Sequence, residues 1–242
     1  MTINHFSHAL RRRGVRVAAA LATIGAALAA PPAPASAQPC PDVEVVFARG
    51  TGEPPGVGGV GQAFVDALRA RTGARSVEVY PVNYPASSDF GAGLEFARTV
   101  VAGIRDEANH VEATAANCPG TKMVLGGFSQ GAVVTGFVTS PSVPKEVPAE
   151  FVGYVPQPMP PAVAGHVAAV ALFGLPSGEF LTQYGAPAVT IGPLYAPKTV
   201  NLCAADDTIC NGAPAGPPTI AHAAYPVNGM VDQAADFVAG RL

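Results

Sequence analysis

Residues 122–137 read K-M-V-L-G-G-F-S-Q-G-A-V-V-T-G-F. An apolar run stops at Gly126-Gly127, a lone serine follows, and a second apolar run begins beyond Gly131. The first run is short, branched and almost uniformly apolar, as a strand buried on both faces of a parallel sheet would be. The second suits a helix. Between them, Gly127-Phe128-Ser129-Gln130-Gly131 fits G-x-S-x-G. In a tight strand-to-helix turn, side chains two before and two after the serine would collide, and glycine at both places leaves Oγ exposed. The same five residues also suit a glycine-rich turn with a capping serine, so the stretch alone leaves Ser129 with two readings.

Working outward, the strand–helix alternation repeats. Strands are expected at 43–48 (VEVVFA), 76–82 (SVEVYPV), 122–128, 166–174 (HVAAVALFG) and 199–204 (TVNLCA). Helical spacing of apolar residues is expected at 61–72, 91–111, 130–140 and in the last eighteen residues. Leu94, Ala97, Val101 and Ile104 make one stripe of the second helix. Val227, Met230, Val231, Ala234, Phe237 and Val238 make the inward face of the last. Residues 140–165 and 175–198 read as long Pro-rich connections. Alternation of this kind predicts an α/β fold: a five-stranded parallel sheet between two helical layers. In such a sheet the chemistry sits beyond the carboxyl ends of the strands.

The chain has 242 residues. Arg11, Arg12, Arg13 and Arg16, an apolar run at 17–30 and Ala35-Ser36-Ala37 together predict a secretory signal over 1–37 and a domain over 38–242. The apolar run is shorter than the roughly 20 residues a membrane-spanning helix needs, so no stable membrane anchor is expected. The arginine cluster leaves general or twin-arginine export open. Removing four arginines and no acid takes the formal charge from −3 to −3 − 4 = −7. An acidic surface argues against nucleic acid and anionic lipid as partners. An exported chain with Cys40, Cys118, Cys203 and Cys210 is expected to hold two disulfides. Three pairings are open, and the simplest joins 203 to 210 and 40 to 118. No C-x2-C pair occurs and no histidine lies close to the cysteines, so neither a metal nor another cofactor is expected.

A nucleophilic serine needs a base, and the base needs an orienting acid. Of the histidines beyond residue 37, His110 ends a polar helix face and His166 opens a strand at its amino end. His222 sits in a loop after the last strand, before the last helix. Asp206 and Asp207 follow that strand, inside a loop flanked by Cys203 and Cys210; Asp207 is preferred, although spacing does not separate the two. The order Ser…Asp…His is that of α/β-hydrolases. The loop after the first strand, ARGTGEPPGVGGVG, offers the N–H of Thr51, and the N–H of Gln130 follows the serine; both suit an oxyanion hole. Within that loop, Gly56 to Gly61 fits the dinucleotide pattern G-x-G-x-x-G. It begins about eight residues past the strand instead of at its tip, with Pro54-Pro55 between, and Glu78 falls inside the next strand, so the context argues against it.

With these pieces placed, the chain resembles the cutinase family. The resemblance rests on Cys40, FARGTGE (47–53), GFSQGA (127–132), VALFG (170–174), C-x6-C with Asp207 three before Cys210, and HAAY (222–225), in family order. RGTGEPPG is closer to the actinobacterial branch than to the fungal one. The resemblance implies a minimal α/β-hydrolase with little or no lid. It implies a triad of Ser129, Asp207 and His222, oxyanion donors at Thr51 and Gln130, and support from Asn83. It also implies disulfides Cys40–Cys118 and Cys203–Cys210. The expected activity is hydrolysis of short- to medium-chain carboxylic esters or polyesters by a secreted or wall-associated monomer. Two rivals are the same chemistry on lipids, phospholipids or thioesters, and a non-catalytic binder on the same scaffold. The substrate crevice is expected among 82–90, 175–195 and the loop around 221–226, with Phe90, Leu175, Phe180, Leu181, Ile220 and Tyr225 as apolar walls.

Overall fold

The computed structural model describes residues 39–212 and 217–242; the expected signal over 1–37 lies outside them. Five strands form one parallel sheet: β1 (Val43–Ala48), β2 (Val77–Pro81), β3 (Lys122–Phe128), β4 (Val167–Phe173) and β5 (Thr199–Leu202). Their spatial order is β2-β1-β3-β4-β5. The helices are α1 (Gly58–Arg69), α2 (Leu94–Asn117), α3 (Gln130–Val138), α4 (Ala149–Val152), α5 (Gly178–Gln183) and α6 (Met230–Ala239). In this strand order the winding reverses between β1 and β3. The crevice at their carboxyl ends is the ligand position of such sheets.

Alternating side chains of the strands feed two cores. Val46, Met123, Leu125, Val170 and Leu172 meet Ile104, Ala108 and Val111 of α2 and Val134 and Val138 of α3. Val43, Val45, Phe47, Val124 and Phe173 meet Phe64 and Leu68 of α1 and Val231, Ala234 and Val238 of α6. Burial on both faces is why β3 and β4 carry no polar alternation. Cys40 is bonded to Cys118 and Cys203 to Cys210. In the chain-entropy model, loops of these lengths stabilise the fold by about 4.5 and 2.5 kcal/mol.

Some elements depart from the sequence expectations. Helix α2 continues to Asn117, and the Pro-rich connections contain α4 and α5. Val227 is 86% exposed and precedes α6, so it does not belong to the inward face. Leu94 is 46% exposed, so the apolar stripe of α2 leaves the core at its amino end.

Candidate active site

Ser129 stands between β3 and α3 with φ 54° and ψ −118°, a left-handed conformation that a side chain adopts only under constraint. The constraint is steric and local. A Cβ on Gly127 would strike the backbone of Gly131, and a Cβ on Gly131 would strike the carbonyl of Ala48. The backbone N–H of Ser129 donates to the Phe173 carbonyl on β4 at 2.9 Å, which ties the turn to the neighbouring strand. Gln130 opens α3, so its own N–H has no partner within the helix, and the positive end of the helix faces the serine.

Ser129 Oγ lies 2.8 Å from His222 Nε2, and His222 Nδ1 lies 2.8 Å from Asp207 Oδ2. With Nδ1–H donated to the carboxylate, Nε2 is left to accept the serine proton. Asp207 is fully buried, and both of its oxygens are engaged. Oδ2 also accepts from the Tyr225 hydroxyl at 2.7 Å, and Oδ1 accepts from the Ile209 N–H at 3.0 Å. The expectation of Tyr225 as an apolar crevice wall is not met. Tyr225 is instead fully buried, and its hydroxyl also accepts from the Ala204 N–H at 3.1 Å. Burial pushes that hydroxyl's pKa up, and its bond to Asp207 adds to the effect, so it stays a neutral donor. Asp206 is exposed. Its backbone carbonyl accepts from the Thr219 hydroxyl at 2.6 Å, which joins the acid loop to the histidine loop.

His110 and His166 lie elsewhere. His110 pairs with Glu44 at 3.0 Å and stacks on Tyr80 with ring centroids 3.4 Å apart; His166 contacts the Pro119 carbonyl at 3.2 Å.

Thr51 and Gln130 line the same cleft as Ser129 and His222. The loop carrying Thr51 is held from both sides. Arg49, buried, donates Nε–H to the Glu53 carbonyl at 2.8 Å and Nη2–H to the Tyr84 carbonyl at 2.6 Å. The Tyr84 hydroxyl donates back to the Arg49 carbonyl, and the Gly52 N–H reaches the Ala86 carbonyl at 2.7 Å. The Gln130 side chain donates to the Ser87 carbonyl at 3.1 Å. Asn83 is not brought to this cluster. It is exposed, and its backbone N–H donates to Asp106 at 2.7 Å. Apart from the Tyr84 hydroxyl, the contacts made by Tyr84, Ala86 and Ser87 run through their backbone carbonyls, which no side-chain pattern announces.

The glycine-rich run that imitates a dinucleotide loop closes around the protein's own carboxylate. Glu53 Oε2 accepts from the Gly50 N–H at 2.6 Å and Oε1 from the Gly59 N–H at 2.7 Å. The place at the head of α1 where a phosphate would sit is filled by that side chain.

The cleft itself encloses about 1040 Å³. Phe90, Phe180 and Leu181 line it as expected, but Ile220 is 87% exposed and Leu175 packs on the core. The sequence reading missed two further walls: the apolar stripe of α2, from Leu94 to Ile104, and the segment from Val143 to Pro158. A row of touching rings, Phe96–Phe90–Tyr184–Phe180, joins the amino end of α2 to α5, with centroids 4.9, 5.3 and 5.3 Å apart. Among the described residues, the close group of possible metal ligands is Cys203, Asp207 and Cys210, and its two sulfurs are bonded to each other.

The family model for cutinase matches residues 39–242. The chain belongs to the cutinase family. This family member is a carboxylic ester hydrolase. It is 56% identical over 173 residues to the probable carboxylesterase Culp7 of Mycobacterium tuberculosis, covering 72% of this chain and 89% of that one. It is 47% identical over 231 residues to carboxylesterase Culp1 of the same organism, covering 95% and 94%. Among solved structures, Trichoderma reesei cutinase in complex with a C11Y4 phosphonate inhibitor is 34% identical, with a TM-score of 0.60 over 83% of this chain and 76% of that one. For this cutinase-family chain, the parallel sheet and flanking helices are those of an α/β-hydrolase.

Proposed function

We propose that this protein is a secreted serine esterase that cleaves esters of apolar carboxylic acids through an acyl-enzyme on Ser129. The observation that carries this reading is the unbroken line Ser129 Oγ–His222 Nε2–Asp207 Oδ2, with steps of 2.8 and 2.8 Å, opening onto an apolar cleft. His222 takes the serine proton as Oγ attacks the ester carbonyl. Asp207 fixes the tautomer and stabilises the imidazolium. The N–H groups of Thr51 and Gln130 receive the developing oxyanion, aided by the amino end of α3. His222 then returns the proton to the departing alcohol, and water, activated by the same histidine, cleaves the acyl-enzyme. Export rests on residues 1–37 and is supported by the two disulfides.

The test is hydrolysis of a 4-nitrophenyl ester by Ser129→Ala. The reading predicts a loss of about 10⁴- to 10⁶-fold in kcat with an unchanged fold. Near-native hydrolysis by the variant contradicts it. For export, the amino terminus of protein recovered from culture medium should begin near residue 38.

A further inference from the structure

We infer that α3 and α2 together form a ruler for the acyl chain, and that it favours acyl groups of about ten carbons; this rests on the serine-esterase reading above. The cleft follows one face of α3. Ser129, Val133 and Phe137, spaced four residues apart, all line it. On α2, Ala97, Val101 and Ile104 line the same space, and exposure falls from 46% at Leu94 to 7% at Ile104. Both helices run from the carboxyl-end side of the sheet, so the apolar lining they share leads from the nucleophile along α3, beneath the 143–158 segment. Phe151 and Val155 close its outer side, in a segment fastened to α2 by the Arg105 guanidinium, which donates to the Tyr154 carbonyl at 2.6 Å.

The direction of the chain follows from the chemistry. His222 must reach the leaving oxygen, so the alcohol lies on the histidine side. The acyl group, held by Ser129, points away from it, along α3. The length follows from helix geometry. Eight residues from Ser129 to Phe137 rise about 12 Å. An extended chain advances about 1.2 Å per single bond, since three backbone bonds span roughly 3.3–3.6 Å. About ten bonds therefore carry the acyl chain from the nucleophile to Phe137. Val133 stands at half that depth, about five bonds along.

A series of 4-nitrophenyl esters from two to sixteen carbons, kept below micelle formation, tests this. In the unmodified protein, kcat/KM should rise about two- to fourfold per added carbon, the gain for burying a methylene. The rise should stop near ten carbons. Val133→Phe should move that break to about five carbons and lower the decanoate-to-acetate ratio at least tenfold. Val101→Phe, on the facing wall, should also shorten the break and serves if the first variant fails to fold. Phe137→Ala should move the break beyond ten. Lengthening the alcohol at constant acyl group should give no break at ten. A profile falling from acetate onward, or plugs that lower every ester equally, overturns the ruler. Failure of the serine-esterase reading would look different: Ser129→Ala would keep its activity at every chain length.

Discussion

Two glycine-rich connections leave the sheet side by side, one after β3 and one after β1, and their glycines answer to different neighbours. In the first, Gly127 and Gly131 are glycine because backbone lies where a Cβ would go. In the second, the loop wraps the Glu53 carboxylate, which fills the head of α1. Gly56, at φ 131°, has open space around it. Both runs match a known pattern, but a glycine records only that something comes close or that the backbone turns. What comes close separates the strand-to-helix turn at Ser129 from an internally capped loop.

The largest expected effect lies beside the β3 turn. Asp207→Asn removes the acceptor that sets the His222 tautomer and should lower kcat about 10⁴-fold, and an amide NH₂ where Oδ2 accepts from His222 and Tyr225 should lower the unfolding free energy by about 1–3 kcal/mol. Steady-state kinetics and denaturant unfolding check the two halves. Next comes the direct comparison of glycines. Gly131→Ala should cost more than about 4 kcal/mol or prevent folding, because the carbonyl it strikes belongs to β1 and cannot move. Gly56→Ala, with open space around it, should cost only the backbone strain of its positive φ, about 1–3 kcal/mol. Equal losses for the two would erase the distinction between the loops.

Smaller again is Glu53→Gln. A neutral amide cannot accept from both Gly50 and Gly59, so one N–H loses its partner, at about 1–3 kcal/mol. If the loop carries an oxyanion donor, kcat should also fall about tenfold or more, with KM little changed. An intact kcat would detach the β1 loop from the chemistry.

The smallest effect concerns the carboxylate beneath the β3 turn. Glu107 is fully buried on α2, its Oε2 lying 3.0 Å from the Thr135 hydroxyl, which is also 2.9 Å from the Gly126 carbonyl. Thr135 has one proton for two acceptors. A protonated Glu107 resolves this by donating to Thr135, which donates to Gly126. Burial pushes the Glu107 pKa well above its ordinary value of 4.5. Below about pH 4.5 both folded and unfolded chains hold this proton. As pH rises from there toward the folded pKa, the unfolded chain releases it and the fold loses stability. Glu107→Gln lacks that loss, so its Tm relative to the unmodified protein should climb with pH above about 4.5. A constant difference across pH would contradict a buried neutral acid.

How much of this was legible depends on where the partner of each residue sits. The bounds of β1 and β3 could be read directly, because uniform burial on two faces leaves an unbroken apolar run. The places of Ser129, Asp207 and His222 were readable because each follows a strand or precedes a helix, and strand ends gather at one edge. The α2 stripe reads as the apolar side of an amphipathic helix, and its first turns line the cleft: periodicity shows that a face avoids water, not what covers it. The ring of Tyr225 counts as apolar and suggests a cleft wall, while the hydroxyl bound to Asp207 leaves no trace in spacing. Asp206 and Asp207 are neighbours in sequence, and only the folded turn sends one inward and the other to solvent.

The most direct test of Ser129 as the nucleophile is mass spectrometry of the protein after reaction with a fluorophosphonate. The account predicts one adduct per chain, on the peptide containing Ser129, with no adduct on Ser129→Ala and a large drop in labelling rate for His222→Ala. An adduct on another residue, or labelling that survives Ser129→Ala, would contradict it.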